Sequence, residues 1–144
     1  MSIAVIGKDA SYEFRWRTWA LLRDVLVANL DEASLPAFCA LGDVLVKGTL
    51  KLDAAALAAD VARIREWLVG QPFESLVIGP RTSAIVYLTD FANTRRQLSF
   101  AEIDRIRPMA DSEDLAEYFS TMTESLARVC AHPNDDGHVE VIDG

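Results

Sequence analysis

Five side chains that could bind a metal ion are concentrated near the C-terminal end of the sequence: His132, Asp135, Asp136, His138 and Glu140. Imidazole and carboxylate groups bind zinc and related ions. Their spacing matches no metal-binding motif, however. The run Asn-Asp-Asp-Gly is typical of a turn, because Asx side chains cap turns and glycine adopts positive φ. We therefore predict a solvated turn at residues 133–137, with a metal site as the alternative.

The two cysteines and two histidines do not form a recognisable catalytic set. Cys130 and His132 lie two residues apart at the end of a predicted helix, so their side chains diverge. Cys39 has no neighbouring basic residue in the sequence that would lower the pKa of its thiol. The sequence also lacks a G-x-S-x-G motif, a P-loop and a G-x-G-x-x-G motif. We expect reduced structural thiols, no catalytic residue and no cofactor.

Three tryptophans and two acidic pairs are candidates for binding another protein. Tryptophan is enriched among the residues that dominate interfaces, and carboxylates accelerate association with a basic partner. The candidate residues are Trp16, Trp19, Trp67, Asp31, Glu32, Asp135 and Asp136. The alternative for each tryptophan is that it widens the apolar stripe of its helix.

Basic residues indicate a second kind of site, for an anionic small ligand. Two polar stretches, residues 79–83 and 89–97, contain arginines, and a predicted strand lies between them. Arginine binds carboxylate and phosphate groups with well-defined geometry. In a ligand-binding domain or small enzyme, the candidate residues are Arg81, Tyr87, Arg95 and Arg96. A simpler role for these arginines is to form ion pairs with the surplus of acidic residues.

Composition restricts the class of partner. The chain has 144 residues, 51% of them hydrophobic and 25% charged, with a formal net charge of −8, as in one acidic globular domain. Nucleic acids and anionic membranes bind basic surfaces, so neither is expected as a partner. No apolar run approaches the roughly 20 residues that span a bilayer, and the N-terminal stretch does not resemble a signal peptide. We expect a cytoplasmic protein.

The clearest local pattern lies in residues 43–70. Apolar residues alternate with polar ones over residues 44–52, which predicts a strand. From Leu57 to Leu68 the apolar residues recur every three or four positions, which predicts a helix. Asp53 has the position of the N-cap of this helix, and Gly70 lies just beyond its end.

Similar patterns predict the remaining elements. We expect strands at residues 3–6, 12–16, 73–78, 84–88 and 138–142, the last of them at an edge of the sheet. We expect helices from about Thr18 to Leu30, at residues 101–107 and from about Asp111 to Val129, with a short helical turn at residues 35–41. Gly7 lies in the connection between the first two strands, where we expect it to supply positive φ.

Strands joined by short turns, with one strand–helix–strand unit among them, favour an α+β fold. We predict a single domain over residues 1–144. Its mixed, largely antiparallel sheet has about five or six strands, with about three main helices packed on one face. The predicted function is an acidic protein-binding module, for example an immunity- or antitoxin-type inhibitor of a basic protein. A small enzyme or ligand-binding domain, and a self-associating structural subunit, are the alternatives.

Overall fold

The computed structural model describes residues 2–69, 77–78, 98–99 and 115–144. In chain order the elements are β1 (Ser2–Ile6), β2 (Ser11–Arg15), α1 (Trp16–Asn29), α2 (Pro36–Ala40), α3 (Val44–Lys47), β3 (Thr49–Asp53), α4 (Ala54–Leu68), β4 (Val77–Ile78), β5 (Leu98–Ser99), α5 (Leu115–Cys130) and β6 (His138–Asp143). Short 3₁₀ helices at Glu32–Ser34 and Leu41–Asp43 flank α2. The strand predicted at residues 84–88 and the helix predicted at residues 101–107 lie outside the described residues.

The α+β class is confirmed, and the main sheet is antiparallel throughout its described strands. It has four strands there, in the order β2-β1-β6-β3, rather than the five or six predicted. β4 and β5 form a separate antiparallel pair. β6 lies between β1 and β3 rather than at an edge, so that Val141 is opposite Val5 on one side and Leu50 on the other. Both neighbours of β6 come from distant parts of the chain, which its own sequence does not show.

One face of this sheet forms the floor of the core. The fully or almost fully buried strand residues share that face in the observed register: Ile3, Val5, Phe14, Val139 and Val141. α5 packs against β1 and β2, and α4 packs against β3 and β6. The long helices thereby bury their apolar stripes against the sheet, which is the main source of their stability.

α1 begins at Trp16, two residues earlier than predicted. Trp19, Leu22 and Leu26 therefore lie on its buried face, each with 0% exposure. The Trp19 ring is packed so closely against the chain after α2 that a Cβ added to Gly42 would lie 2.5 Å from its Cη2 atom. This contact fixes α1 against the α2–α3 region.

The strand predicted at residues 44–52 is wrong in its first half. Val44–Lys47 forms α3, and the strand β3 begins only at Thr49. Gly48 separates them with φ at +77°, a backbone conformation that favours glycine, and its N–H donates to the carbonyl of Val44 at 2.7 Å. The helical conformation continues from α2 through Leu41–Asp43 into α3, so Val46 is 91% exposed instead of facing a core.

The helices α4 and α5 follow the predicted patterns closely. Asp53 caps α4, accepting the N–H of Ala55 at 3.1 Å. The helix end predicted at Gly70 lies outside the described residues. In α5 the predicted apolar stripe is fully buried at Phe119, Met122, Leu126 and Val129.

The β1–β2 connection is held against the C-terminal end of α5. Lys8 N–H donates to the carbonyl of His132 at 2.8 Å. A Cβ on Gly7 would collide with that same carbonyl oxygen and would lie 3.0 Å from the carbonyl oxygen of Val129. Gly7 is thus required for close approach, and the positive φ expected there belongs instead to Asp9, at 59°.

Candidate protein-binding site

The C-terminal turn (residues 133–137) pairs its own acidic residues with lysines. Lys8 Nζ lies 3.0 Å from Asp135 Oδ1, and Lys51 Nζ lies 3.3 Å from Asp136 Oδ2. The backbone N–H of His138 donates to Asp136 Oδ1 at 3.0 Å. That hydrogen bond, together with the Lys51 ammonium, lowers the pKa of the Asp136 carboxyl. These acids therefore stabilise the turn, and in the described part of the chain no three His, Cys, Asp or Glu residues are grouped to hold a metal ion.

The three tryptophans occupy different environments. Trp19 is 0% exposed and packs against Phe38, with ring centroids 6.0 Å apart, while Arg23 Cζ lies 5.0 Å from its ring centroid. Trp19 therefore presents no surface to a partner, which removes it from the predicted site. Trp16 and Trp67 are half-buried and keep part of their rings at the surface.

Trp67 lines a groove of about 400 Å³ between the C-terminal half of α4 and the chain that follows α1. Leu35 is 1% exposed and forms the buried part of the lining, whereas Val69 at the end of α4 is 80% exposed. The lining residues are Leu30, Ser34, Leu35, Arg63, Glu66, Trp67 and Val69. A concave, largely apolar surface with a few polar groups is typical of a binding site.

Ser34, on one side of the groove, belongs to an acidic turn (residues 31–34) that includes the 3₁₀ helix Glu32–Ser34. Asp31 Oδ1 accepts the N–H of Ala33 at 3.0 Å, and the Ser34 hydroxyl donates to the Asp31 carbonyl at 2.6 Å. Asp31 is thus an N-cap, with its side chain still exposed. The Glu32 side chain is also exposed and makes no hydrogen bond within the turn.

Three exposed carboxylates have no ion pair within the described residues; Glu66 lines the groove, and Asp31 and Glu32 lie in the turn next to it. Asp31, Glu32 and Glu66 are at the surface, and no lysine or arginine of the described residues lies within ion-pairing distance of them. Arg63 also lines the groove, but its charge is compensated by Asp60 at 2.6 Å. Among the described residues, the uncompensated charge at the groove is therefore negative.

Asp60 is a buried charged residue next to this site that the sequence did not reveal. It is 1% exposed, and its Oδ2 accepts the N–H groups of Ala37 at 2.7 Å and Phe38 at 3.0 Å. These two N–H groups belong to the first turn of α2, where helical N–H groups lack partners and negative charge is favourable. The only signal in the sequence is an acidic residue beside the apolar stripe of α4.

The two acidic clusters lie at different ends of α4. The N–H of Ala54, its first residue, donates to the carbonyl of Gly137 at 3.1 Å, which places the C-terminal turn at this end. Arg63 Nε donates to the carbonyl of Ser34 at 3.1 Å, in the acidic turn. Ala54 and Arg63 are about 14 Å apart along the helix axis at the standard helical rise.

The predicted partner-binding residues consequently do not form one site. The structure places Trp67 on one groove with Glu66, which was not predicted, and with Ser34 of the turn that contains Asp31 and Glu32. Asp135 and Asp136 lie elsewhere, in the C-terminal turn. Trp16 is also distant, because it is the first of the 14 residues of α1 and the acidic turn follows the last one. The predicted ligand-binding residues Arg81, Tyr87, Arg95 and Arg96 lie outside the described residues.

The two cysteines are free thiols with little nucleophilic character. Burial raises the pKa of the Cys130 thiol to about 11. Burial, followed by the nearby Glu32 carboxylate, also raises the pKa of the Cys39 thiol. A thiol is reactive mainly as its thiolate, so neither cysteine is arranged as a nucleophile near neutral pH.

Comparison of the chain with protein-family models, with curated proteins and with solved structures found no match. Among the described helices, none is both long enough and apolar enough to cross a membrane. The functional assignment therefore depends on the chemistry of the groove itself.

Proposed function

We propose that this protein is a binding module that holds a basic segment of another protein in the groove between the acidic turn and α4. One observation carries the proposal. Glu66 lines a largely apolar groove, and Asp31 and Glu32 lie in the turn whose Ser34 lines its other side; none of the three has an ion pair within the described residues, whereas Asp135 and Asp136 are paired with lysines. Carboxylates without ion pairs near a half-buried aromatic side chain are complementary to a segment with both basic and apolar residues.

The two kinds of groove residue have different roles in this binding. An apolar side chain of the partner packs against Trp67 and Leu35, and its burial slows dissociation. Lysine or arginine side chains on either side of it pair with the three carboxylates. These pairs lie at the rim and are hydrated, so they mainly increase the association rate and make it sensitive to salt.

The charge of the chain favours a basic partner over a second copy of this protein. Two copies would each carry a formal net charge of −8 and would bring like charges together at the groove. Inhibition of a basic protein, as by an immunity protein or antitoxin in the cytoplasm, is a role that this mode of binding fits. The two unpaired thiols are compatible with that reducing compartment.

Selection from two phage-displayed peptide libraries tests the proposal. Both libraries have about 12 randomised positions with the same apolar pattern. One has lysine and arginine at the remaining positions, and the other has aspartate and glutamate. Each is selected on the wild-type protein, on the triple variant Asp31→Asn/Glu32→Gln/Glu66→Gln, and on Asp135→Asn as a control for loss of an acidic residue elsewhere.

We expect basic peptides to be enriched on the wild-type protein and on Asp135→Asn but not on the triple variant. Enrichment of acidic peptides, equal enrichment on the triple variant, or no enrichment from the basic library would each overturn the proposal. Trp67→Ala completes the set, because it removes the aromatic surface without changing charge. It should abolish the enrichment as well.

A further inference from the structure

We infer that Arg63 is a positioning residue, which fixes the acidic turn at the correct distance from Trp67 and Glu66 and thereby sets the affinity for the basic segment. This inference rests on the proposed function. Arg63 lies in the groove, yet its hydrogen bonds are directed to the protein itself. It acts through the carboxylates of the turn, without itself pairing with the partner.

A continuous set of hydrogen bonds connects α4 to the acidic turn and to the start of α2. Arg63 Nη2 donates to Asp60 Oδ1 at 2.6 Å, and Arg63 Nε donates to the carbonyl of Ser34 at 3.1 Å. Asp60 in turn accepts two N–H groups from the first turn of α2. Asp60 therefore fixes the guanidinium, and the guanidinium fixes the acidic turn.

The acidic turn is ordered by its own hydrogen bonds and is anchored at its end by the buried Leu35. The N–H of Ser34 donates to the Asp31 carbonyl at 3.0 Å, and the N–H of Leu35 donates to the Glu32 carbonyl at 3.0 Å. Of the hydrogen bonds within the described residues, the one from Arg63 to Ser34 is the one that joins this turn to α4. Its loss should let the turn move as a unit about the buried Leu35.

Arginine is suited to this role for a geometric reason. A planar guanidinium holds several N–H donors in a fixed arrangement and can bind two acceptors on different elements at once. A lysine at residue 63 keeps the charge but offers a single flexible ammonium. Arg63→Lys therefore separates the geometric contribution from the contribution of charge.

Charge and position have opposite consequences for binding. Arg63 is a cation beside a site for a basic segment, so Coulomb repulsion alone predicts that Arg63→Gln strengthens binding. If Arg63 instead positions the acidic turn, Arg63→Gln weakens binding despite the more negative groove. Arg65→Gln is the matched control, because it removes the same charge from a position two residues further along α4. The Arg65 side chain is half-buried and does not line the groove.

The first measurement uses the free protein and needs no partner. Amide hydrogen exchange and ¹⁵N relaxation are compared for residues 31–35 in the wild-type protein, Arg63→Lys, Arg63→Gln and Arg65→Gln. The amides of Ala33 and Leu35 should exchange about tenfold faster in both Arg63 variants, because local opening becomes easier. Unchanged exchange there, in variants whose thermal unfolding shows them to be folded, overturns the inference.

The second measurement is the affinity of the basic peptide most enriched on the wild-type protein, obtained by isothermal titration calorimetry. Arg63→Gln and Arg63→Lys should each bind it about three- to tenfold more weakly, in the lower part of the range expected for coupling between contacting residues. The effect of Arg63→Gln should shrink when Glu32→Gln is also present. Equal or tighter binding by Arg63→Gln overturns the positioning role.

The two measurements separate the failure of the inference from that of the proposed function. If basic peptides bind the wild-type groove but both Arg63 variants match it in exchange and affinity, the inference fails alone. If no basic peptide binds, the proposed function fails. Any change in exchange then shows a contribution to local order and not a role in recognition.

Discussion

Replacing Asp60 with alanine tests the hydrogen-bond arrangement on which the site is built. The substitution removes the acceptor of the Ala37 and Phe38 N–H groups, 2.7 and 3.0 Å away, and the ionic partner of Arg63. Losing an N-cap costs about 1 kcal/mol, and each buried donor left without an acceptor costs about 1–3 kcal/mol. The Arg63 side chain is 52% exposed and can be hydrated, so its lost ion pair adds little.

We therefore expect Asp60→Ala to lower the free energy of unfolding by about 3 kcal/mol, or the melting temperature by about 10 °C. Urea denaturation followed by circular dichroism measures the change. Asp60→Asn keeps an acceptor oxygen and should lose less. Glu124→Gln alters an exposed carboxylate of α5 and should stay within about 0.5 kcal/mol of wild type. If Asp60→Ala also stays within that limit, the proposed role of Asp60 is wrong.

Three other predictions concern contacts away from the groove. Gly7→Ala should destabilise the protein by about 2 kcal/mol, because its Cβ has no room beside the end of α5; an unchanged urea midpoint would contradict this close approach. For Asp136, whose pKa is lowered from 3.8 in the folded protein, the stabilising contribution is complete above that value and is lost as the pH falls through the folded pKa. The difference in unfolding free energy between wild type and Asp136→Asn should therefore vanish in strong acid, and a difference independent of pH would exclude the ionised carboxylate as its source. Cys130, with its pKa raised from 9.0 to about 11, should carry about a hundredfold less thiolate near neutral pH than an ordinary cysteine. In a Cys39→Ser background it should react with a disulfide reagent slowly until the protein is denatured, and rapid reaction in the folded state would contradict its burial.

The parts of the fold that could be predicted are those in which local signals agree. In α4 the capping residue, the helical spacing and the change of period after β3 all indicate the same element, and Asp53 does cap it. The segment containing Val44 and Val46 is too short for its spacing to distinguish a strand from one helical turn. Its conformation is set by continuity with α2 and by the positive φ of Gly48.

The candidate site was less predictable, because it depends on which charges meet in the folded chain. Asp135 is paired with Lys8, 127 residues away in sequence, and Asp136 with Lys51, 85 residues away. Neither pairing is visible in the local sequence, so these acids looked equivalent to Asp31 and Glu32. The hydrogen bonds that Asp60 accepts from N–H groups of α2, 22 and 23 residues away, were missed for the same reason.

The most direct test of the account is an amide chemical-shift titration of the ¹⁵N-labelled protein with the most enriched basic peptide. If the peptide occupies the groove, the largest shifts should lie in residues 30–35 and 63–69. They should decrease as salt is added, since the carboxylates contribute by electrostatic attraction. Shifts concentrated in residues 133–138, or an identical titration of the Asp31→Asn/Glu32→Gln/Glu66→Gln variant, would contradict the proposed site.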